Sequence, residues 1–260
     1  MPSADALVLR TVDFSETSLI VTLYTRQFGK VEALAKGARR LKSPFELSLD
    51  MLARNSIAFI QKRDDVLDLL TESKLLQRFH VHSANLAGTL GGFYVSELIN
   101  ALTAPSDPMP VLYDMTVKVL QQLEGGTQVM RTLIRYEGRL LHVLGHSPSF
   151  RDCVQCGAMV ARVPGIRITF GMLAGGVLCP KCVRGHRQTV SIKPETLDVW
   201  DALTSPLDRS ERWKHLQLDL QTQAEIRRLA NQYICNVLGW KPRLYDWWSL
   251  IARLDVIESR

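Results

Sequence analysis

The chain has 260 residues, 46% of them apolar and 22% charged, and a formal net charge of +6. That length leaves room for more than one core, and the apolar share is that of a globular protein. No run of about 18 apolar residues occurs, which excludes a membrane-spanning helix, and the first residues, Met-Pro-Ser-Ala-Asp-Ala, lack the basic n-region of a signal peptide.

Residues 4–76 read as β. Ala6–Val12 is an apolar run with β-branched residues. Leu19, Val21 and Leu23 alternate with Ile20, Thr22 and Tyr24, and Val31–Lys36 follows the turn Gln27-Phe-Gly29. Ile57, Phe59 and Gln61 alternate with Ala58, Ile60 and Lys62, and a fifth strand falls within Val66–Leu75 after the turn residues Asp64-Asp65. Five short strands in about 75 residues predict a small barrel, of OB or SH3-like type.

Between the third and fourth strands runs Lys36-Gly-Ala-Arg-Arg-Leu-Lys42-Ser-Pro44. From Arg26 to Lys42 there are six basic residues (Arg26, Lys30, Lys36, Arg39, Arg40 and Lys42) and one acid. A basic loop at a barrel mouth can clamp a phosphate backbone; the plainer alternative is a solvated surface loop.

From about residue 82 the period turns helical. Leu86, Leu90, Phe93 and Glu97 form one stripe, extended by Leu98, Ala101 and Leu102. Ala104–Pro110 is a breaker, and a helix over Val111–Leu123 stops at Gly125-Gly126. Met130, Leu133, Ile134, Glu137, Leu140, Leu141 and Leu144 share the next stripe, with Gly145 as its stop. Glu137 there is either a buried, paired carboxylate or the border of a groove. Arg131, Arg135 and Arg139, four apart, form a ridge beside the stripe; such a ridge is ordinarily just a solvated face.

Two knuckles follow, Cys153-Val-Gln-Cys156 and Cys179-Pro-Lys-Cys182, separated by the 22 residues from Gly157 to Leu178. Each presents two thiolates from one turn, and four soft ligands suit a tetrahedral zinc. Two disulfides, or four reduced thiols without metal, use the same residues. Four thiolates leave no open position for water, so the zinc is read as structural. No histidine is followed two residues later by glutamate, as a zinc deaminase requires. This segment also holds the charge. Residues 151–193 carry seven Lys/Arg against one Asp, an excess equal to that of the whole chain. Arg162, Arg167, Lys181, Arg184 and Arg187 thus make a second surface attractive to polyanions, or a loop kept soluble by its cations.

Lys193-Pro-Glu195 opens a helix through Trp200 and Leu203, ended by the polar break Ser205–Arg209. A further helix carries Ile226, Leu229, Ala230, Tyr233, Val237 and Leu238 on one face and stops at Gly239. Cys235 lies opposite as a free thiol. The tail from Trp240 holds three of the five tryptophans and is expected to pack. There is no Gly-x-Gly-x-x-Gly after a strand, no P-loop and no Gly-x-Ser-x-Gly elbow.

Phe14-Ser-Glu-Thr-Ser-Leu19, Tyr24-Thr25, Phe28-Gly-Lys30 and Ala35-Lys-Gly-Ala-Arg-Arg40 resemble the N-terminal barrel of the bacterial recombination mediator and DNA repair protein family RecO. Phe93-Tyr-Val-Ser-Glu-Leu98, Arg135-Tyr-Glu137 and the Cys-x-x-Cys-Gly are similar to that family's later segments. The stretch Phe45–Arg54 departs from the family, which has a glycine and a Leu-x-Pro-like turn there. The resemblance implies an α+β protein: an N-terminal OB-fold barrel followed by an α-helical domain carrying a four-cysteine zinc ribbon. The expected boundaries are 1–80 for the barrel, 81–150 and 193–260 for the two parts of the helical domain, and 151–192 for the ribbon.

It implies binding of single- and double-stranded DNA, annealing of complementary strands, and work with RecR. It also implies contact with the acidic C-terminal tail of single-stranded DNA-binding protein, so that recombinase can be loaded. An acidic, apolar-ended tail needs a cation beside an apolar groove, which points to Arg131, Arg135 and Arg139 next to Leu140 and Leu141, Arg135 foremost. The expected protein is non-enzymatic and cytoplasmic, on the nucleoid. The alternative is a zinc-stabilised nucleic-acid-processing enzyme or a ribbon-containing regulator.

Overall fold

A computed structural model describes residues 2–43, 45, 47–62, 66–80, 85–126, 128–205, 216 and 218–258. Pro44, the Asp64-Asp65 turn and positions 206–209 of the polar break lie outside the described residues. The chain divides into two compact units, residues 1–130 with 246–260, and residues 131–245.

In the first unit five strands close a barrel: β1 (Ser3–Asp13), β2 (Leu19–Thr25), β3 (Gly29–Ala35), β4 (Arg54–Ile60) and β5 (Asp68–Gln77), in the order β1-β2-β3-β5-β4. All neighbours are antiparallel except β3 and β5, which run parallel from Ala33–Asp68 to Ala35–Leu70. That crossover closes the sheet as an OB-type barrel, where strand spacing alone also admitted an SH3-like one. Alternation along each strand sends Ala6, Val8, Val21, Leu23, Val31, Ala33, Ile57 and Phe59 inward to a buried core. The stretch Phe45–Arg54 works as part of the barrel. Phe45 joins the core. Asn55 Nδ2 donates to the Ser48 carbonyl at 2.7 Å, and the Leu52 N–H donates to the Val8 carbonyl at 2.8 Å.

Among the described residues, the α-helices α1 (Leu86–Leu102), α2 (Pro110–Glu124) and α6 (Trp248–Glu258) belong wholly to this unit. Asn85 caps α1, accepting from the Gly88 N–H at 2.7 Å. The expected α1 stripe is only partly right. Leu90 and Leu98 are buried, but Leu86 is exposed and Phe93 and Glu97 are half-buried, while Ala87, Tyr94, Val95 and Ile99 are covered. The physical reason is that α1 is covered on several sides. Ser96 Oγ donates to the Leu9 carbonyl of β1 at 2.9 Å. The Tyr94 ring meets Trp248 of α6 edge-on at 4.7 Å. A Cβ on Gly92 would come within 2.8 Å of Phe79 and Leu52 side-chain atoms. The tail packs as expected through Trp248 and Ile251, although Trp240 and Trp247 are exposed.

Helix α3 (Val129–Val143) leads into the second unit, which holds a small sheet and helices α4 (Pro194–Thr204) and α5 (Leu220–Leu238). The sheet is β7 (Gly176–Leu178), β6 (Ile168–Gly171) and β8 (Thr189–Ile192), with β6 central and both neighbours antiparallel. Phe150 and Phe170 lie against Trp200 of α4, with ring centroids 4.9 and 5.8 Å away, and Phe170 meets Tyr233 of α5 edge-on at 6.2 Å. Glu137 is the buried, paired carboxylate. Arg227 of α5 grips both its oxygens, one through Nη2 at 2.9 Å, and also reaches Asn231.

Candidate metal centre and nucleic-acid surface

The β6–β7 hairpin brings the two knuckles together. The Val154 N–H donates to the Val177 carbonyl at 3.1 Å, and the Val177 N–H to the Ser149 carbonyl at 2.9 Å. The first knuckle is thereby laced to β7, and the second begins where β7 ends. Gly176 permits this lacing, since a Cβ there would stand 2.5 Å from the Ser149 oxygen. Within the knuckles, the Gly157 N–H donates to the Cys153 carbonyl at 2.8 Å and the Cys182 N–H to the Cys179 carbonyl at 2.9 Å. Gly157 and Gly185 take the left-handed φ of 72° and 96° that such turns ask for.

The sulfurs of Cys153, Cys156, Cys179 and Cys182 all lie within 4.8 Å of one another. Cys156 Sγ and Cys179 Sγ are 3.8 Å apart. A tetrahedron with metal–sulfur bonds of about 2.3 Å has edges of about 3.8 Å, so the four thiolates are positioned to hold one metal ion. All five cysteines are free thiols. Backbone N–H groups, first that of Cys179 and then those of Cys156 and Gln155, favour the Cys153 thiolate and bring its pKa down to about 6. Hydrogen bonds with the Cys179 and Cys156 sulfurs hold the proton on Cys182, whose pKa is pushed up to about 12. Burial raises the Cys235 thiol instead, which keeps it unreactive at neutral pH.

The six barrel cations separate into two groups. Arg26 donates from Nε and Nη2 to the Asp114 carboxylate on α2, at 2.9 and 3.0 Å, and that contact holds the carboxyl below its ordinary range. Lys30 donates to the Asn100 and Thr103 carbonyls at the end of α1, at 2.8 and 2.7 Å, and burial lowers its pKa. Both cations are spent on helix packing. Gly29 between them fits because a Cβ would stand 2.3 Å from the Asp107 backbone.

Lys36, Arg39, Arg40 and Lys42 are exposed together on the loop after β3. Arg39 joins that loop to the β1–β2 loop. Its N–H donates to the Thr17 carbonyl at 3.0 Å, and its Nη1 donates to the Ser15 carbonyl at 3.0 Å and lies 3.2 Å from an Asp13 oxygen. Among the described residues the side chains of Lys36, Arg40 and Lys42 make no ion pair. Strand register puts the end of β1, the start of β2, the end of β3 and the start of β5 at one mouth.

On the ribbon the same separation holds. Arg162 pairs with Asp198, and Arg167 binds Glu225 and Ser191. Lys181, Arg184 and Arg187 stand exposed around the second knuckle, without an ion pair among the described residues. On α3, Arg131 donates to the Leu216 carbonyl and Arg135 to the Leu203 carbonyl at 3.1 Å. Leu140 and Leu141 are buried, so they present no apolar groove beside the ridge. Phe14 and Leu41, named in the sequence only as members of a motif and a basic loop and given no role, stand exposed at the barrel mouth. The available signals were an aromatic residue opening a Ser/Thr/Glu turn and a leucine inside a basic run.

No described helix is long and apolar enough to cross a membrane. Two family models cover nearly the whole chain: the N-terminal part of recombination protein O matches residues 1–79, and its C-terminal part residues 84–245. The chain is similar to the DNA repair protein RecO of Rhodopirellula baltica, 45% identical over 76% of this chain and 71% of that one. It is also similar to those of Syntrophus aciditrophicus, 30% identical over 90% of each chain, and Myxococcus xanthus, 28% identical over 95% and 97%. An OB-type barrel, a helical region and a four-cysteine cluster, under matches that cover nearly the whole chain, make this chain a member of the RecO family of DNA repair proteins.

Proposed function

We propose that this protein is a non-enzymatic recombination mediator. In this reading it binds single- and double-stranded DNA and anneals complementary strands. With RecR, it helps load recombinase onto DNA coated with single-strand-binding protein. The observation that carries the reading is the exposed trio Lys36, Arg40 and Lys42 at the mouth of an OB-type barrel, with no acid paired to it among the described residues. Cations so placed meet phosphates and release counterions without reading bases. Arg26 and Lys30 drop out of the proposed contact because α1 and α2 hold them.

We propose zinc as the metal, since four clustered thiolates are a soft and closed ligand set whose role is structural. For the acidic residues in the tail of single-strand-binding protein, Arg139 is the ridge cation we favour, as Arg131 and Arg135 each donate to a backbone carbonyl, and the tail's apolar end must find a contact other than the buried Leu140 and Leu141.

A titration of labelled single-stranded DNA at several salt concentrations tests the central claim. Replacing Arg40 and Lys42 with alanine removes up to two phosphate contacts and is expected to make the log–log salt slope shallower by roughly 1.4. An unchanged slope removes the barrel mouth from the DNA path. The same titration with tail peptide present, on wild type and Arg139→Ala, tests the partner site. Annealing without nucleotide, and with no strand cut or modified, separates a mediator from an enzyme.

A further inference from the structure

Two large apolar side chains stand in water among the cations of the barrel mouth. Leu41 is 103% exposed and Phe14 58%. Scattered exposed hydrophobic residues are ordinary, but these two sit on loops that Arg39 stitches together through Ser15, Thr17 and Asp13. Leu41 lies directly between Arg40 and Lys42. The Phe14 backbone is held as well: its N–H donates to the Ser18 carbonyl at 3.1 Å, and the Ser15 N–H reaches the same oxygen at 3.3 Å. A ring on a fixed backbone with its surface in water is a platform formed before any partner arrives.

A partner suited to this mouth carries negative charge at regular intervals and flat apolar groups between the charges. Single-stranded nucleic acid does both. Its phosphates meet Lys36, Arg40 and Lys42, and its unpaired bases offer π-faces to an aromatic side chain. In a duplex those faces are already stacked on one another. An anionic membrane surface would also answer cations and apolar groups. The OB-type barrel favours the strand, because loops at a barrel mouth line a groove for an extended chain.

We infer that Phe14 is a base-stacking platform for an unpaired nucleotide, with Leu41 as a second apolar contact, and that it gives the barrel mouth a preference for single over double strands. This rests on the reading that the mouth contacts DNA, and it adds the residue that tells an unpaired strand from a duplex.

The test measures the affinity of the full chain for three ligands: an oligothymidylate, an abasic deoxyribose-phosphate oligomer of the same length, and a duplex. Phe14→Ala is expected to weaken oligothymidylate binding roughly 5- to 150-fold, the effect of losing one stacked base. It is expected to leave the abasic oligomer and the duplex within about twofold and the salt slope unchanged, since no phosphate contact is lost. Phe14→Trp retains oligothymidylate binding, whereas Phe14→Leu, which keeps bulk without a π-face, loses it. That pair decides the matter even if the alanine variant folds poorly.

Equal losses on all three ligands, or no loss on any, overturn the inference. A parallel titration with phosphatidylserine vesicles completes the test, and a Phe14→Ala effect seen only there overturns the inference too. If Arg40→Ala alters the slope while Phe14→Ala does nothing, only the stacking role falls. If wild type binds no DNA, the underlying reading falls with it.

Discussion

Individual cations in this chain are told apart by what they already touch. Arg39 and Arg40 are adjacent, yet Arg39 faces Asp13 and donates to the Ser15 carbonyl, whereas Arg40 is unpaired among the described residues. Removing Arg40 is expected to make the single-strand salt slope shallower by about 0.7. Removing Arg39 is expected to lower affinity with less than half that change in slope, because Asp13 already balances its charge; salt titrations of the two alanine variants side by side check this. The pair Glu137–Arg227 makes the opposite point inside the second unit. It is buried, so breaking it leaves an uncompensated charge. Glu137→Gln is expected to cost about 3–5 kcal/mol in urea unfolding, while the double variant Glu137→Leu/Arg227→Met recovers most of it. At this scale the metal site was legible, because Cys-x-x-Cys encodes its geometry locally. The role of Arg26 was not, because its partner Asp114 lies 88 residues away. Nothing near Arg26 in the sequence separates a helix-packing cation from a phosphate-binding one.

Among the elements, the ribbon is the one whose stability is expected to depend most on a ligand. Strands β6, β7 and β8 have four, three and four residues, too short to hold a sheet on their own hydrogen bonds. A metal held by the four cysteines is therefore expected to contribute to the folding free energy of this segment. One metal per chain is expected by elemental analysis, and Cys156→Ser or Cys179→Ser is expected to lower both metal content and melting temperature. Thiols must shed protons to become ligands, so metal affinity rises with pH. Backbone N–H groups favour the Cys153 thiolate, whereas hydrogen bonds with the neighbouring sulfurs favour the protonated Cys182, which would have to give up its proton to serve as a ligand. Competition with a chelator is accordingly expected to strip the ribbon more readily at pH 6 than at pH 8. The barrel strands were legible as alternation, since each has one face on the core. The ribbon strands were not, because three or four residues hold no more than two alternations. Helix α1 misled for another reason: covered by β1 and α6 on different sides, it has no single stripe to read.

On the scale of the whole molecule, the sequence marks where strands give way to helices, but packing divides the chain elsewhere. Residues 246–260 join the unit that begins at the N-terminus, a pairing of distant segments that no local pattern announces. Deleting residues 246–260 removes Trp248 from the Tyr94 ring and the Asp255 carboxylate from the Val129 and Met130 N–H groups. Unfolding of the first unit is expected at lower denaturant, with metal content of the ribbon retained; a loss of metal alongside would contradict this separation. Among the described residues each unit also carries an exposed cationic cluster, Lys36, Arg40 and Lys42 on the first and Lys181, Arg184 and Arg187 on the second. Annealing brings two polyanions together, so it asks for more neutralising charge than holding one strand does. If one cluster holds the first strand and the other screens the second, Arg184→Ala/Arg187→Ala is expected to leave single-strand affinity within about threefold while slowing annealing about tenfold. Arg40→Ala/Lys42→Ala is expected to weaken both. Annealing rates followed by fluorescence on complementary oligonucleotides, at protein concentrations that saturate the single strand, check the asymmetry. A ribbon variant that anneals at the wild-type rate would assign both strands to the barrel, and one that loses single-strand affinity as fully as the barrel variant would place both clusters on a single DNA path.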